Sequence, residues 1–316
     1  MKKIAIVTDS TADIEISLAQ EMNILVVPLH VQLGNETYID NITITRDEIY
    51  EQMQKGIIPK TSQPTPADFK AAYEKALQEA EYIIVICISN AVSGTLATAR
   101  MTAQEMNIDT SRITFIDSKC TSAALGLMVM HAALLAEHGH SFEEVASEIQ
   151  ATVYRTRMYG TFDTLKYLLA GGRFGWGKAG ETVGSLIPVK PVLYFKNGAV
   201  SLNGFCRTRK KAIDKICSLV RETYEKGNLV GRIGITYGTG KEEALQIQKY
   251  FDELTASTIE TYVSQLGPTL SVHGGTSTLA ISFEDLASEN IDESTTEKRK
   301  GLHFPKIRLP FTKDKS

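Results

Sequence analysis

The stretch YIIVICIS at residues 82–89, followed by NAVSGTLATA at residues 90–99, decides the fold. Its first seven residues are apolar with no polar alternation. Such a strand is buried on both faces, as in a parallel sheet covered by helices. The turn Ser93-Gly94-Thr95 then opens a helix predicted over residues 93–107. Working outward, residues 4–8 read as a strand, 14–22 as a helix, 24–28 as a strand and 46–55 as a helix. Another helix begins at Pro66, with Thr65 as its cap and Asp68 in its first turn. A strand at 112–117 leads into a long apolar helix at 121–137. This alternation is the signature of an α/β fold with a mostly parallel sheet and flanking helices.

The pattern changes after about residue 157. A helix at 163–170 runs into a glycine-rich segment, 171–184. Strands at 191–195 and 199–205 flank Asn197-Gly198, a hairpin signal that brings in antiparallel pairing. A helix at 208–226, a strand at 232–237 and a helix at 241–254 follow, with strands near 258–263, 270–272 and 278–283. The expected organisation is an α/β domain over 1–157 and a C-terminal α+β domain over 158–285 with a mixed or antiparallel sheet. Residues 286–316 are polar and aperiodic and read as a flexible tail, whose Lys298-Arg299-Lys300 is a solvated charge run or, as the alternative, a contact for an acidic partner.

Composition narrows the function. The 316 residues are 43% hydrophobic and 22% charged with a formal charge of −3, which excludes a disordered or fibrous chain and gives no broad attraction to nucleic acid. The longest apolar stretch, 123–136, is interrupted by His131. It falls short of the ~20 residues a membrane span needs, so stable membrane insertion is not expected. The N-terminal apolar run at 4–7 is too short for a signal peptide, so a cytoplasmic location is expected. Cys87, Cys120, Cys206 and Cys217 form no Cys-x-x-Cys pair and read as free thiols. His138 and His140 lack further ligands, so no metal is expected.

Several motifs fail on context. Gly175-Trp176-Gly177-Lys178-Ala179-Gly180 matches a dinucleotide fingerprint, but a helix precedes it where a strand is required. Gly238-Thr239-Gly240-Lys241 resembles the end of a phosphate loop, but Ile235 stands where the first glycine belongs and Glu242 where Ser or Thr would hold magnesium. No Gly-x-Ser-x-Gly elbow surrounds Ser93. No nucleotide cofactor is expected.

Hydroxyls, by contrast, gather at the strand ends: Thr8-Asp9-Ser10-Thr11, Ser89 through Thr95, and Ser118 through Ser122. In an open parallel sheet these turns share the carboxyl edge, where ligands bind. Ser93, Gly94 and Thr95 combine hydroxyl donors, close backbone approach and the positive end of a helix, a setting for an anion. Thr61 and Ser62, before the Pro66 helix, face the same edge. Ordinary helix capping is the alternative role for all of them. Arg173, among glycines, is placed to meet a phosphate or carboxylate, or is a plain surface residue. His273, read here as ending a strand, is a ligand or a hydrogen-bonded structural histidine. The basic run 207–211 is a solvated face or a surface for an acidic partner.

These pieces resemble the DegV family of bacterial lipid-binding proteins. The matching segments are IAIVTDSTADI at 4–14, KTSQPTPADF at 60–69, ISNAVSGTLATA at 88–99, TFIDSKCTSAALGL at 114–127, LKYLLAGGRFG at 165–175, GSLIPVKPVL at 184–193 and RTRKKA at 207–212. The resemblance implies two domains clasping one long-chain fatty acid as ligand, with no other cofactor. It also implies a separate ATP-binding kinase subunit as partner, which receives the carboxylate and makes an acyl phosphate for phospholipid synthesis. By position, Thr61 and Ser93 resemble the carboxylate's hydrogen-bond donors, with Ser62, Gly94, Thr95 and His273 close by. Arg173 resembles the residue serving phosphoryl transfer. On this reading the chain holds no catalytic residue of its own. Two other readings stay open: a hydrolase or acyltransferase using Ser93 as nucleophile with His273 as base, and a small-anion sensor.

Overall fold

The computed structural model describes residues 2–173 and 189–288. The glycine fingerprint at 175–180, most of the segment 171–184 and the tail from 289 onward therefore lie outside the described residues. In chain order the first half comprises β1 (Lys2–Asp9), α1 (Ile16–Glu21), β2 (Ile24–Val27), β3 (His30–Leu33), β4 (Glu36–Ile39), α2 (Arg46–Gln54), β5 (Lys60–Ser62), α3 (Pro66–Glu79), β6 (Ala80–Cys87), α4 (Thr95–Glu105), β7 (Ile113–Asp117), α5 (Ser122–Glu137) and α6 (Phe142–Arg155). The second comprises β8 (Thr156–Thr161), α7 (Lys166–Ala170), β9 (Lys190–Lys196), β10 (Ala199–Cys206), α8 (Arg209–Glu225), β11 (Leu229–Tyr237), α9 (Lys241–Leu254), β12 (Glu260–Gln265), α10 (Pro268–Gly274) and β13 (Leu279–Asp285).

β2, β1, β6 and β7 form, in that order, a parallel sheet. Five consecutive residues of β6, Ile83 to Cys87, are fully buried because helices cover both faces. α3 and α4 pack on one face through Phe69, Tyr73, Leu96 and Ala99. α5 and α6 cover the other through Leu125, Met128, Ile149 and Val153. The second sheet, β10-β9-β8-β13-β11-β12, is mixed: β11 and β12 run parallel and the other neighbours antiparallel. Together the two sheets make the fold α/β.

α5 joins them. Apolar nearly all round, it can be stable only when enclosed, and it lies between the parallel sheet and the mixed one. Its cluster accordingly includes Met158, Tyr262 and Ala280 from the mixed sheet beside Ile4 and Ile84 from the parallel one. α8 and α9 cover the mixed sheet's far face through Ile216, Val220, Ala244 and Phe251.

Three departures from the sequence reading bear on the cavity and the elements around it. Residues 270–272 are not a strand but part of α10, which starts with Pro268 at its first turn, where the missing N–H costs nothing. His273 is thus in the last turn of a helix rather than at a strand end. α7 starts at Lys166, not 163, because Asp163 is drawn out to Lys190 at 2.8 Å. Finally, Lys60, Thr61 and Ser62 form the edge strand of a small antiparallel sheet, β4-β3-β5.

Gly126 offers a test of the packing. Helix propensity alone favours alanine there by about 1 kcal/mol. A Cβ at 126, however, would lie 2.6 Å from the Ala12 carbonyl oxygen, a backbone atom that cannot swing away. Gly126→Ala should therefore destabilise the fold by on the order of 1–3 kcal/mol, read from urea unfolding midpoints. A gain in stability would show that the α5 contact is loose.

Candidate functional site

The carboxyl edge of the parallel sheet is tied together by two aspartates. Asp9 accepts from the Thr11 amide at 3.0 Å and from the Ile88 amide at 2.8 Å, linking the exits of β1 and β6. Burial pushes its carboxyl above the usual range, and these donors hold it back. Asp117 accepts from the amides of Asn90 and Lys119, both at 3.1 Å, linking β6 to β7. The start of the loop between β6 and α4 is therefore held from both sides, at Ile88 by Asp9 and at Asn90 by Asp117. It is also covered: the Ser89 hydroxyl donates to the Gly198 carbonyl at 2.8 Å. Gly198, in the β9–β10 turn at φ +84°, comes so near Ser89 that a Cβ would collide with the hydroxyl.

Between this edge and the mixed sheet lies an open cavity with about 960 Å³ of empty space, part of it solvent at its mouth. Most of its wall is apolar. β8 contributes Met158, Gly160 and Phe162, its alternate residues and the one just beyond, so one face of the strand lines the space. β13 adds Ala280, which pairs with Gly160 in register. Leu193, Phe195, Leu266 and Leu270 complete much of the rest.

Thr61, Ser62, Ser93, Arg173 and His273 all line this cavity, although they come from β5, the β6–α4 loop, the end of α7 and α10. Thr61 Oγ1 and His273 Nε2 lie 2.8 Å apart. Ser93 Oγ lies 2.9 Å from Thr95 Oγ1. Gly94 and Thr95 stand behind the lining: Thr95 is buried, its amide donating to Ser93 Oγ at 3.4 Å, and Gly94, the N-cap of α4, offers no capping side chain. Arg173 is exposed, its Nε donating to the Val92 carbonyl at 3.3 Å and its Nη1 to the Gly171 carbonyl at 2.5 Å. Its guanidinium is held next to the Ser93 loop by backbone carbonyls.

One lining residue escaped the sequence reading. Gln63 donates from Nε2 to Thr98 Oγ1 at 2.7 Å, bridging β5 to α4. Its Oε1 occupies the space a Cβ on Gly94 would need. Gly94 thus serves the contact between the two hydroxyl clusters.

The histidine is neutral. Burial first, and then the Arg173 charge, lower its pKa to about 4. Its Nδ1 is buried with no hydrogen-bond partner among the described residues, pressed so close to Gly171 that a side chain there would clash with it. Among the described residues no hydrogen bond joins Ser93 to His273 and no carboxylate orients the ring, so the nucleophile arrangement is not assembled. No cluster of three or more potential metal ligands occurs among the described residues, and no described helix is long and apolar enough to cross a membrane.

The family model described as "Uncharacterised protein, DegV family" matches residues 3–286. The chain belongs to the DegV family. It is 34% identical over 282 residues to Protein DegV of Bacillus subtilis, covering 88% of this chain and 98% of that one. Among solved structures, a fatty-acid-binding DegV family protein from Thermus thermophilus is 34% identical with a TM-score of 0.78, covering 90% of this chain and all of that one. A stearic acid-binding protein from Eubacterium ventriosum is 25% identical with a TM-score of 0.79, covering 92% of this chain and all of that one.

The histidine supplies a pH test. Unfolded, it takes up a proton below about pH 6.5; folded, only below about 4. Between these values the unfolded state binds more protons, so stability falls as pH drops from 6.5 towards 4, by on the order of 2–3 kcal/mol for this group. His273→Gln should flatten that part of the curve, measured by urea unfolding at pH 7 and 4.5. An unchanged slope would place the loss in other groups.

Proposed function

We propose that this protein binds one long-chain fatty acid, its acyl chain in the cavity and its carboxylate at Thr61 and Ser93. The observation that carries this reading is an apolar cavity whose polar lining gathers hydroxyls, the Gln63 amide and a neutral imidazole, with the exposed Arg173 guanidinium beside them. A carboxylate next to apolar surface is expensive unless hydrogen-bonded. The neutral hydroxyls of Thr61 and Ser93 meet that need, while the exposed Arg173 guanidinium is engaged by the Val92 and Gly171 carbonyls. Each buried CH₂ adds about 0.8 kcal/mol, so the tail supplies most of the affinity and the head group fixes orientation. The fatty-acid-binding relatives from Thermus thermophilus and Eubacterium ventriosum support the ligand class. A small-anion sensor would have no use for so much apolar wall.

On the same reading the protein is not an enzyme by itself. In the cytoplasm it presents the carboxylate to a separate ATP-dependent kinase subunit, which forms an acyl phosphate for phospholipid synthesis. Thr61 and Ser93 donate to the carboxylate, Ser62 and His273 neighbour them, and Gly94 and Thr95 shape the loop. Arg173 stabilises charge developing on the transferred phosphoryl group.

Delipidated protein should take up about one equivalent of palmitate and gain thermal stability by linkage; no uptake across a panel of chain lengths would sink the proposal. Ser93→Ala and Thr61→Ala should each weaken binding by on the order of 1–3 kcal/mol, as for a hydrogen bond to a charged group. Unchanged affinity in both would put the head group elsewhere. Arg173→Ala should keep near-normal palmitate affinity while acyl-phosphate formation with an ATP-binding partner collapses. Equal losses in both assays would make Arg173 part of the lipid site.

A further inference from the structure

Two carboxylates with no part in the cavity, Asp13 and Asp40, are buried at the opposite end of α10 from His273. Asp13 Oδ1 accepts from the Gly267 amide at 2.9 Å and its Oδ2 from Ser122 Oγ at 2.5 Å. Asp40 Oδ1 accepts from the Thr269 amide at 3.2 Å and its Oδ2 from Ser10 Oγ at 2.7 Å. Ser10 Oγ in turn accepts from the Leu29 amide at 3.0 Å. All four carboxylate oxygens thus meet protein donors, and the pair is not a ligand site. Gly267 is required, because a Cβ there would lie 2.7 Å from Asp13 Oδ1.

What the pair holds is the start of a seven-residue helix. Such a helix has little stability alone, and its first amides have no partners within it. Two acids from the first 40 residues supply those partners from more than 200 positions away. The far end of the same helix carries His273 to its 2.8 Å contact with Thr61, and its middle puts Leu270 on the cavity wall. A slip of one residue along a helix axis is about 1.5 Å, enough to break that contact.

We propose that Asp13 and Asp40 are positioning residues of the binding site: by holding the Gly267 and Thr269 amides they fix α10 so that Leu270 and His273 reach the cavity and Thr61. The inference rests on the fatty-acid reading. What matters in it is an acceptor atom at each place, not the charge. Asparagine keeps an acceptor for each backbone amide, turns its NH2 to the Ser122 or Ser10 hydroxyl, whose oxygen can accept, and tolerates the left-handed φ of +50° at Asp13.

The test compares alanine and asparagine at each position, by amide hydrogen exchange of the ligand-free full chain and by palmitate titration. Asp13→Ala should speed exchange at Gly267, and Asp40→Ala at Thr269, by at least about ten-fold. The Ile281 amide of β13 should be unaffected, and the palmitate Kd should rise by about ten-fold. Asp13→Asn and Asp40→Asn should stay within about two-fold of the parent in both measurements. Folded alanine variants with unchanged exchange and affinity would overturn the proposal, as would asparagine variants that lose affinity while α10 stays protected. If an alanine variant does not fold, its asparagine counterpart decides: retention within two-fold supports the positioning role, and a ten-fold loss of protection or affinity overturns it. Failure of the parent protein to bind palmitate would strike the fatty-acid reading, while the exchange arm would still report whether the carboxylates pin α10.

Discussion

One hydrogen bond, 2.8 Å between Thr61 Oγ1 and His273 Nε2, spans 212 residues and ties the small sheet to α10 at the cavity. It constrains everything around it. β5 must present Thr61 inward, which its pairing of Thr61 with Val31 on β3 arranges. α10 must end where Nε2 reaches the hydroxyl, and Gly171 must lack a side chain so that the imidazole fits against α7. The histidine must also be uncharged. A cation would have to be desolvated beside the Arg173 guanidinium, and burial and that guanidinium act together to remove its proton.

The same preference for neutral donors runs through the interior. The strand-end carboxylates Asp9 and Asp13, with Asp40 beyond β4, are buried and raised by desolvation, yet hydroxyls and backbone amides meet them. Arg46 lowers Asp13 and Asp40 from a distance while its own short contact goes to Glu15 at 2.8 Å. Where a close buried ion pair does occur, Arg155 with Glu148 and Glu284, it lies by the junction of α6, β8 and β13 rather than at the cavity. Ionic pairing thus fastens the scaffold, while at the cavity hydroxyls and the imidazole hydrogen-bond one another and Arg173 donates to backbone carbonyls.

Much of this was legible in the sequence because the signals are local. The unbroken apolar run of β6 announces a doubly covered strand, the Thr65-Pro66 pair announces α3, and Asn197-Gly198 announces the hairpin. Thr61, Ser62, Ser93, Thr121 and Ser122 from the hydroxyl-rich turns line one cavity, while the β1 exit, Thr8 to Thr11, does not reach it. What escaped the reading depends on partners distant in sequence. β3 and β4 are short, with half-exposed patterns that make sense only once β5 pairs with them. α6 is an exception among these, its start marked locally by the capping box of Ser141 and Glu144. Residues 270–272 look like a strand by composition. Pro268 and its buried neighbours override that preference, and Val272 packs against Ile49 and Met53 of α2. A cavity has no sequence signal of its own, since Met158, Leu193 and Leu270 are the residue types that fill any core.

Why those apolar residues leave a space follows from where the small ones fall. At the level where β8 crosses β13, Gly160 pairs with Ala280, and on the other side with Leu193 of β9. A glycine in the middle of a strand weakens it, and here the strand is paired on both sides, so the sheet survives the missing side chain. The mixed sheet therefore carries a depression along the face turned toward the β6–α4 loop. α5 cannot fill it, being fixed by Gly126 against the turn after β1. The rigid contact of one helix and the missing side chain of one strand thus leave an apolar hollow between two sheets, and the hydroxyls of the strand ends give that hollow its polar end.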